Sequence, residues 1–237
     1  MNMSEIDYRK LYNLQDKFFT WWSVLKLPFY LTGGTALGRF YLNHRYSDDL
    51  DFFVNADPGY SDYISELKSK IEKNFLVNPE QSLFTDDFSR IYIAEGGVAL
   101  KIEFVNDVGY YAGKPVPFRF GLMDTPLNIL SNKLTAVVSR DEPKDIFDIV
   151  YLSRNYSFHW EQIFYHSKSK SAINEIDVEK RFTSFPVDLL HYVNWLSAPP
   201  EVHIFSENLR QIAHDFLLGR KNSLGSRKPL IEDAVPE

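Results

Sequence analysis

The sequence predicts an α+β fold, in which a mixed sheet flanked by helices is followed by a mostly helical region. Strand-like and helix-like segments alternate up to about residue 124, and helical periodicity dominates the chain after it. Glu95-Gly96-Gly97 between two β-prone runs is a typical hairpin signal. We therefore predict two domains, an α+β domain over residues 1–124 and a helical domain over residues 125–237, with a disordered tail after about residue 224.

The first domain is predicted to begin with a helix, because apolar residues between positions 5 and 25 recur at helical spacing. An aromatic segment that ends on Gly33 predicts the first strand. Prolines place the segment 115–121 at a sheet edge. The predicted helices span residues 5–25, 35–43 and 60–75, and the predicted strands span 29–33, 50–54, the two arms of 89–105, and 115–121.

The second domain is predicted to be a series of helices. Pro143 suits the first turn of one of them, because a proline there loses no hydrogen bond. The predicted helices span residues 125–140, 143–154, 159–170, 186–197 and 204–219.

Composition and charge exclude several functional classes. The chain of 237 residues is 44% hydrophobic and 24% charged, which is ordinary for a globular protein. It contains no cysteine, which excludes disulfides, thiol nucleophiles and cysteine-based metal sites. A net charge of −6 argues against a broad nucleic-acid footprint, and solvated loops are the favoured interpretation of the basic segments 166–171 and 219–228. The polar start and the lack of a long apolar run predict a cytoplasmic protein with no membrane partner.

Two aspartates at the start of a hydrophobic strand are the first candidate functional residues. Asp49 and Asp51 are two apart, so on a strand they point to the same face. Two carboxylates that face one point repel each other unless they share a cation, and Mg²⁺ prefers such oxygen ligands. The alternative is a solvated strand start, which is the favoured interpretation for Asp48 but explains Asp51 poorly, since apolar residues surround it.

A glycine pair precedes these aspartates. Gly33 and Gly34 lie between a predicted strand and a predicted helix, where backbone amides and the helix dipole can hold a phosphate. Thr35 would add a hydroxyl. The alternative is an ordinary tight turn from strand to helix.

A third carboxylate, Glu103, alternates with Lys101 and Val105 on one face of the second hairpin arm. If this arm lies beside the strand 50–54, Glu103 joins the aspartate pair. Otherwise Glu103 is a solvent-facing residue of a half-buried strand.

Charged residues also cluster on the two helices after residue 124. Lys133 and Arg140 are seven apart and share a helix face, and Asp145 and Asp148 are three apart on the next helix. An ion-pair network that docks the two helices would explain Arg140 and Asp145. A lysine such as Lys133 can also meet a triphosphate as a mobile charge.

The string GGTALGRFYLNHRYSDDLDFF, followed by Ile102-Glu103-Phe104, resembles the nucleotidyltransferases of the DNA polymerase β type. More specifically, it resembles the AbiEii/AbiGii-type nucleotidyltransferase toxins of abortive-infection toxin–antitoxin systems. Members of this family also have a lysine-bearing helix, which corresponds here to SNKLTA with Lys133. A basic–acidic pair and a second aspartate follow it, which correspond here to Lys144-Asp145 and Asp148 in KDIFD. The resemblance covers about residues 30–153.

The resemblance implies that the chain moves a nucleoside monophosphate from an NTP to an acceptor, with one or two Mg²⁺ ions. The acceptor could be tRNA or another RNA, a protein side chain or a small molecule, and a cognate antitoxin is implied. A small-molecule transferase of the antibiotic-modifying kind and a non-catalytic binding protein are the alternatives. Glu103 stands where many members have an aspartate, and His44-Arg45 either faces the site or ends a helix in solvent. The implied catalytic residues are Asp49, Asp51, Glu103 and Lys133, the implied metal ligands are Asp49, Asp51 and Glu103, and the implied nucleotide-binding residues are Gly33, Gly34, Thr35, Ser47, Lys133 and Asp148.

Overall fold

The computed structural model describes residues 6–196 and 198–237. It confirms the predicted mixed α/β fold, a mixed sheet accompanied by helices. The chain forms two compact units. The first comprises the chain up to Thr35, Ser47–Gly109 and Pro115–Met123, and the second comprises Ala36–Tyr46, Tyr110–Lys114 and Asp124–Glu237.

The first unit contains a sheet of eight strands in the order β3-β5-β6-β2-β1-β8-β7, with β4 paired to β5. The pairs β2–β6 and β1–β8 are parallel, and the remaining pairs are antiparallel. The strands are β1 (Tyr30–Thr32), β2 (Leu50–Asn55), β3 (Leu76–Val77), β4 (Leu83–Phe84), β5 (Phe88–Glu95), β6 (Val98–Asp107), β7 (Val116–Phe118) and β8 (Gly121–Met123).

Residues of β2, β5 and β6 alternate between buried and partly exposed. Since alternate residues of a strand point to opposite faces, one face of the sheet is covered and the other, the half-open face, is partly exposed to solvent. Helix α1 (Tyr8–Trp22) packs Trp22 against Phe52 and Phe104 of the covered face. Full burial of an aromatic side chain of this kind stabilises the fold by about 1.5–3 kcal/mol. Helix α3 (Tyr60–Ile71) belongs to the same unit, and helix α2 (Gly33–Phe40) starts in it.

The predicted hairpin is confirmed. Gly96 and Gly97 connect β5 to β6 with φ angles of +59° and +83°, which suit a two-residue turn with both central residues left-handed. The proline-containing segment β7 is the edge strand that Pro117 predicts. The short strands β3 and β4 have no strong sequence signal and were not predicted.

The second unit is mainly helical. Both α4 and α5 begin with a proline in the first turn, as predicted for Pro143. Residues 187–192 form only a 3₁₀ helix, so the longer helix predicted over 186–197 is wrong; the chain is extended on both sides of this turn. Besides most of α2, the second unit contains α4 (Pro126–Ser139), α5 (Pro143–Asn155), α6 (Trp160–Lys168), the unpredicted α7 (Glu175–Thr183), and α8 (Val202–Leu217).

The prediction of a disordered tail after about residue 224 is wrong. The amide of Ser157 donates to the carbonyl of Pro229 at 2.8 Å, and the amide of Ile231 donates to the carbonyl of Ser157 at 3.0 Å. Ile231 begins a short 3₁₀ helix and its side chain is fully buried. Tertiary burial of this one side chain outweighs the polar, loop-like composition around it.

Candidate functional site

Three carboxylates lie close together on the half-open face of the first unit's sheet. Asp51 of β2 is the direct register partner of Glu103 on the parallel strand β6. Asp49 precedes Asp51 by two residues, immediately before β2 begins. The structure therefore brings together the aspartate pair and the third carboxylate, as the alternation along each strand predicts if the strands are neighbours.

Two cations accompany the carboxylates. The Nζ atom of Lys101 lies 2.9 Å from Oδ2 of Asp49 and 3.4 Å from Oε2 of Glu103. Arg90 of β5 donates from Nε to Oε1 of Glu103 at 2.7 Å. Burial works to lower the pKa of Lys101, but the hydrogen bond and charge of Asp49, followed by the charge of Glu103, outweigh it and raise the pKa. Lys101 is thus a fully charged ammonium group between two of the carboxylates.

Gly33 allows Asp51 to lie against the start of α2. Its φ angle is +69°, and a Cβ atom added there would lie only 2.5 Å from Oδ2 of Asp51. Any larger residue would therefore have to displace the carboxylate as well as accept a left-handed backbone. Gly34 follows as the second residue of α2. The backbone at this helix start can approach a ligand or a carboxylate without a side chain in between.

Thr35 and Ser47 hold the segment that leads into β2. Thr35 is fully buried, and its hydroxyl donates to the backbone carbonyl of Asp49. This contact favours a positioning role for Thr35 over direct contact with a phosphate. The Ser47 carbonyl accepts a hydrogen bond from Gln15 at 3.0 Å, and its amide donates to the Tyr12 hydroxyl at 3.2 Å. Phosphate binding by either residue stays a prediction.

The chemistry of this donor set fits Mg²⁺, because three carboxylates offer the oxygen ligands that Mg²⁺ prefers. Within the described part of the chain, no three carboxylate or histidine side chains converge closely enough to hold one ion as they stand. Lys101 occupies the space between Asp49 and Glu103. Asp49, Asp51 and Glu103 could hold the ion once this ammonium group moves away.

The second cluster forms a buried network in the second unit. Asp148 is fully buried and is contacted by three basic side chains. Its Oδ1 lies 2.8 Å from Nε2 of His44 and from Nε of Arg45, and its Oδ2 lies 2.7 Å from Nη2 of Arg45 and 2.8 Å from Nζ of Lys133. Burial alone would raise the pKa of Asp148, but Arg45 and Lys133 hold it well below its usual value. Asp148 is therefore ionised and its carboxylate faces these basic side chains, which favours a role in holding them; nucleotide binding by Asp148 stays a prediction.

Lys133 is held by two carboxylates. Its Nζ lies 2.7 Å from Oδ1 of Asp145 in addition to its contact with Asp148, and only 7% of the residue is exposed. Burial works to lower the pKa of Lys133, and Asp148 and Asp145 outweigh it and raise the pKa. Arg140 binds the same Asp145 through two nitrogens, as the ion-pair interpretation predicts. Lys133 is fixed rather than mobile, and its role at a triphosphate stays a prediction.

Four residues of these clusters are not among the catalytic or binding residues predicted from the sequence: His44, Arg45, Arg90 and Lys101. Arg45 is 2% exposed and His44 is 2% exposed, so a solvated helix end is wrong for both. Lys101 was noted only as a strand neighbour of Glu103, and Arg90 not at all. Pairing across the hairpin could have identified Arg90, because the turn at Gly96-Gly97 makes it the register partner of Glu103. No such local signal exists for His44 and Arg45, whose partner Asp148 is more than a hundred positions away.

Comparisons with known proteins show one family match and one curated relative. The family described as nucleotidyl transferase AbiEii toxin, type IV toxin–antitoxin system, matches residues 19–165. An uncharacterized protein of Aquifex aeolicus is 24% identical over 148 residues, and the match spans 57% of this chain and 62% of that relative, less than two thirds of its length.

Two solved structures have the same fold. JHP933 from Helicobacter pylori has a TM-score of 0.55 and 21% identity, with 89% of this chain and 91% of that chain covered. MenT4, a nucleotidyltransferase toxin from Mycobacterium tuberculosis, has a TM-score of 0.55 and 15% identity, with 90% of this chain and 84% of that chain covered. In the part of the chain that the structure describes, none of the helices is both long and apolar enough to cross a membrane.

The family match covers more than half of the chain and includes both charge clusters. It confirms the resemblance that the glycine pair, the aspartate pair and the lysine-bearing helix carry. The chain belongs to the nucleotidyl transferase AbiEii toxin family of type IV toxin–antitoxin systems.

Proposed function

We propose that this protein is a Mg²⁺-dependent enzyme that transfers a nucleoside monophosphate from an NTP to an acceptor RNA. The observation that carries the proposal is the register of Asp51 with Glu103, with Asp49 two residues away on the same face. Three carboxylates on neighbouring strands repel one another, and Lys101 and Arg90 offset part of this charge in the metal-free protein. A divalent ion would bind the same group of oxygen atoms and offset the charge more fully.

The reaction is a substitution at the α-phosphorus of the NTP. An acceptor hydroxyl oxygen forms the new bond to this phosphorus, the bond to the bridging oxygen of the β-phosphate breaks, and pyrophosphate leaves with that electron pair. The hydroxyl proton passes to solvent or to a basic side chain. A bound magnesium ion would supply positive charge for the triphosphate and the leaving pyrophosphate.

The residues of the first unit divide this work. Asp49 and Asp51 are the metal ligands that the half-open face presents. Glu103 accepts contacts from Arg90 and Lys101, which favours a role as a fixed anionic ligand over a role as general base. The start of α2 at Gly33 supports phosphate binding, because it combines a helix N-terminus with a backbone that has no side chain.

RNA is the proposed acceptor because the resemblance of the sequence to the family's toxins suggests tRNA or another RNA. The net charge of −6 favours contact with only a short stretch of RNA, such as a tRNA end. As a member of a toxin–antitoxin family, the protein is also expected to have a cognate antitoxin as its partner.

The test is an incubation with Mg²⁺, each α-labelled NTP in turn, and total cellular RNA. We expect one NTP to label RNA, and we expect Asp49→Ala/Asp51→Ala to abolish the label. Label in small molecules alone would replace RNA with another acceptor. Absence of label in every fraction, together with no Mg²⁺-dependent NTP binding, would contradict the enzymatic proposal.

Asp48→Asn is the matched control. Asp48 neighbours Asp49 but accepts a hydrogen bond from the Tyr8 hydroxyl at 2.7 Å. Its carboxylate therefore has a structural partner in α1. Removal of this charge should leave the transfer rate within about twofold of the natural protein, since surface substitutions away from the reacting groups have small effects.

A further inference from the structure

The ammonium group of Lys101 lies where a metal ion would have to bind. It contacts Asp49 at 2.9 Å and Glu103 at 3.4 Å, so it bridges a residue before β2 and a residue of β6. Magnesium binds carboxylate oxygens at about 2.0–2.1 Å and takes up the space between them. The ammonium group and the ion cannot occupy this space together.

The contacts of Arg90 are different. Arg90 of β5 forms an ion pair with Glu103 at 2.7 Å, while the charge of Asp49 acts on it from farther away. It neutralises one carboxylate from the side and does not lie between two of them. Lys101 therefore places a positive charge in the space between Asp49 and Glu103, whereas Arg90 places one beside that space. Substitution of each in turn separates the two effects.

Lys101 has room to move away. It lines a cavity of about 540 Å³ together with Asp49, Tyr92 and the glycines of the hairpin turn. Its side chain is 24% exposed, and four rotatable bonds let the ammonium group turn into this space without a change in the backbone. A partly exposed ion pair of this kind contributes only a factor of about 1.5 to 5 to an equilibrium constant, so displacement by a divalent ion is energetically accessible.

We propose that Lys101 is a displaceable internal counterion: it holds Asp49 and Glu103 together in the metal-free protein and competes with the divalent cation for the space between them. The proposal rests on the metal-binding part of the proposed function. The cation enters as Lys101 leaves, and the ammonium group then turns toward the cavity beside Tyr92. Lys101 is a positioning residue, because it acts on the carboxylates and not on the reacting atoms.

The first experiment measures Mn²⁺ binding by electron paramagnetic resonance to the full chain and to Lys101→Met, with Arg90→Met as the matched control. We expect Lys101→Met to bind Mn²⁺ about two- to fivefold more tightly, and Arg90→Met to gain clearly less. Equal gains in the two variants would show that only net charge matters, and weaker binding in Lys101→Met would show that Lys101 assists the metal. Either result overturns the proposal.

Asp49→Asn/Asp51→Asn separates this proposal from the proposed function. If the double variant abolishes Mn²⁺ binding, the metal site stands and the lysine comparison decides the role of Lys101. If the double variant binds Mn²⁺ as the natural protein does, the metal site itself is wrong, and the counterion proposal fails with it.

A second experiment uses the unmodified chain, so that no variant has to fold. Lysine acylation followed by peptide mass spectrometry would report how accessible Lys101 is. We expect labelling of Lys101 to increase when Mg²⁺ is added, while Lys10, an exposed lysine that lines the same cavity, should label equally in both conditions. Unchanged or reduced labelling of Lys101 would overturn the proposal.

Discussion

Replacement of Gly33 by alanine is the sharpest test of the carboxylate site, because two separate effects can be told apart. At φ +69° an alanine pays a backbone cost of about 1–2 kcal/mol. For a chain of this size, each kcal/mol lowers the melting temperature by about 2–4 °C. The new methyl group would also lie 2.5 Å from Oδ2 of Asp51, far inside the contact distance, so the carboxylate has to move.

The second effect should appear in activity rather than in stability. A shift of a catalytic group by about 1 Å can cost about a hundredfold in rate. Gly33→Ala is therefore expected to lower the NTP-transfer rate about a hundredfold while the protein still folds. The assays are the initial rate with saturating Mg²⁺ and the thermal unfolding midpoint.

Gly219→Ala is the matched control. Gly219 has a φ angle of +58°, close to that of Gly33, but an added Cβ would meet only Cβ of Glu161 at an ordinary 3.5 Å. It should show the same backbone cost in the melting temperature and an unchanged rate. A Gly33→Ala protein that is destabilised like Gly219→Ala and fully active would refute the role assigned to Asp51.

Three further predictions concern stability. Asp148→Asn removes the buried carboxylate that Arg45 and Lys133 share and should cost about 3–5 kcal/mol in urea unfolding. Arg140→Gln, whose side chain is 57% exposed, should cost at most about 1 kcal/mol, and equal costs would contradict the buried network. Burial lowers the pKa of His44 below its unfolded value near 6.5, so the contribution of His44 to stability is complete above that pH and is lost as the pH falls toward the folded pKa. The free energy of unfolding of the natural protein should therefore fall between pH 7.5 and 5.5 more steeply than that of His44→Gln. Parallel curves for the two proteins would refute this. Ile231→Ala should cost about 2–5 kcal/mol by calorimetry, because the side chain is fully buried, while Glu232→Ala should be near neutral; a neutral Ile231→Ala would mean that the tail does not pack.

The sequence predicts the local features of the first unit well, because they depend on short-range periodicity and turn chemistry. The Gly96-Gly97 turn and the alternation along β6 can both be read from neighbouring residues. The register of Asp51 with Glu103 is different, because β2 and β6 are parallel and about fifty positions apart. Alternation says which face each residue takes, but not which strands are neighbours.

The residues that the sequence did not reveal share one physical property: their partners are distant along the chain. Arg45 pairs with Asp148 more than a hundred positions away, and the buried Ile231 lies in a tail whose backbone is hydrogen-bonded to Ser157, more than seventy positions away. A helical period predicts a buried face only when several apolar residues repeat. A single arginine or a single isoleucine in a polar segment carries no such pattern, so its burial becomes visible only in the folded chain.

The two charge clusters differ in how far their ion pairs are exposed to solvent. In the first, Asp49 and Lys101 have side chains that are 38% and 24% exposed, so their ion pair is screened by water and can exchange with an external cation. In the second, Lys133 and Asp148 are almost fully shielded from solvent, and removal of either takes one charge out of a buried network whose members contact one another. Substitutions in the first cluster should therefore change metal binding and rate with little loss of stability, and substitutions in the second should lower stability first. Substitutions of Asp49 and of Lys133 can therefore be compared by their loss of transfer rate and their loss of unfolding free energy. If a Lys133 variant loses transfer rate under conditions where it is fully folded, Lys133 must contribute to catalysis as well as to stability.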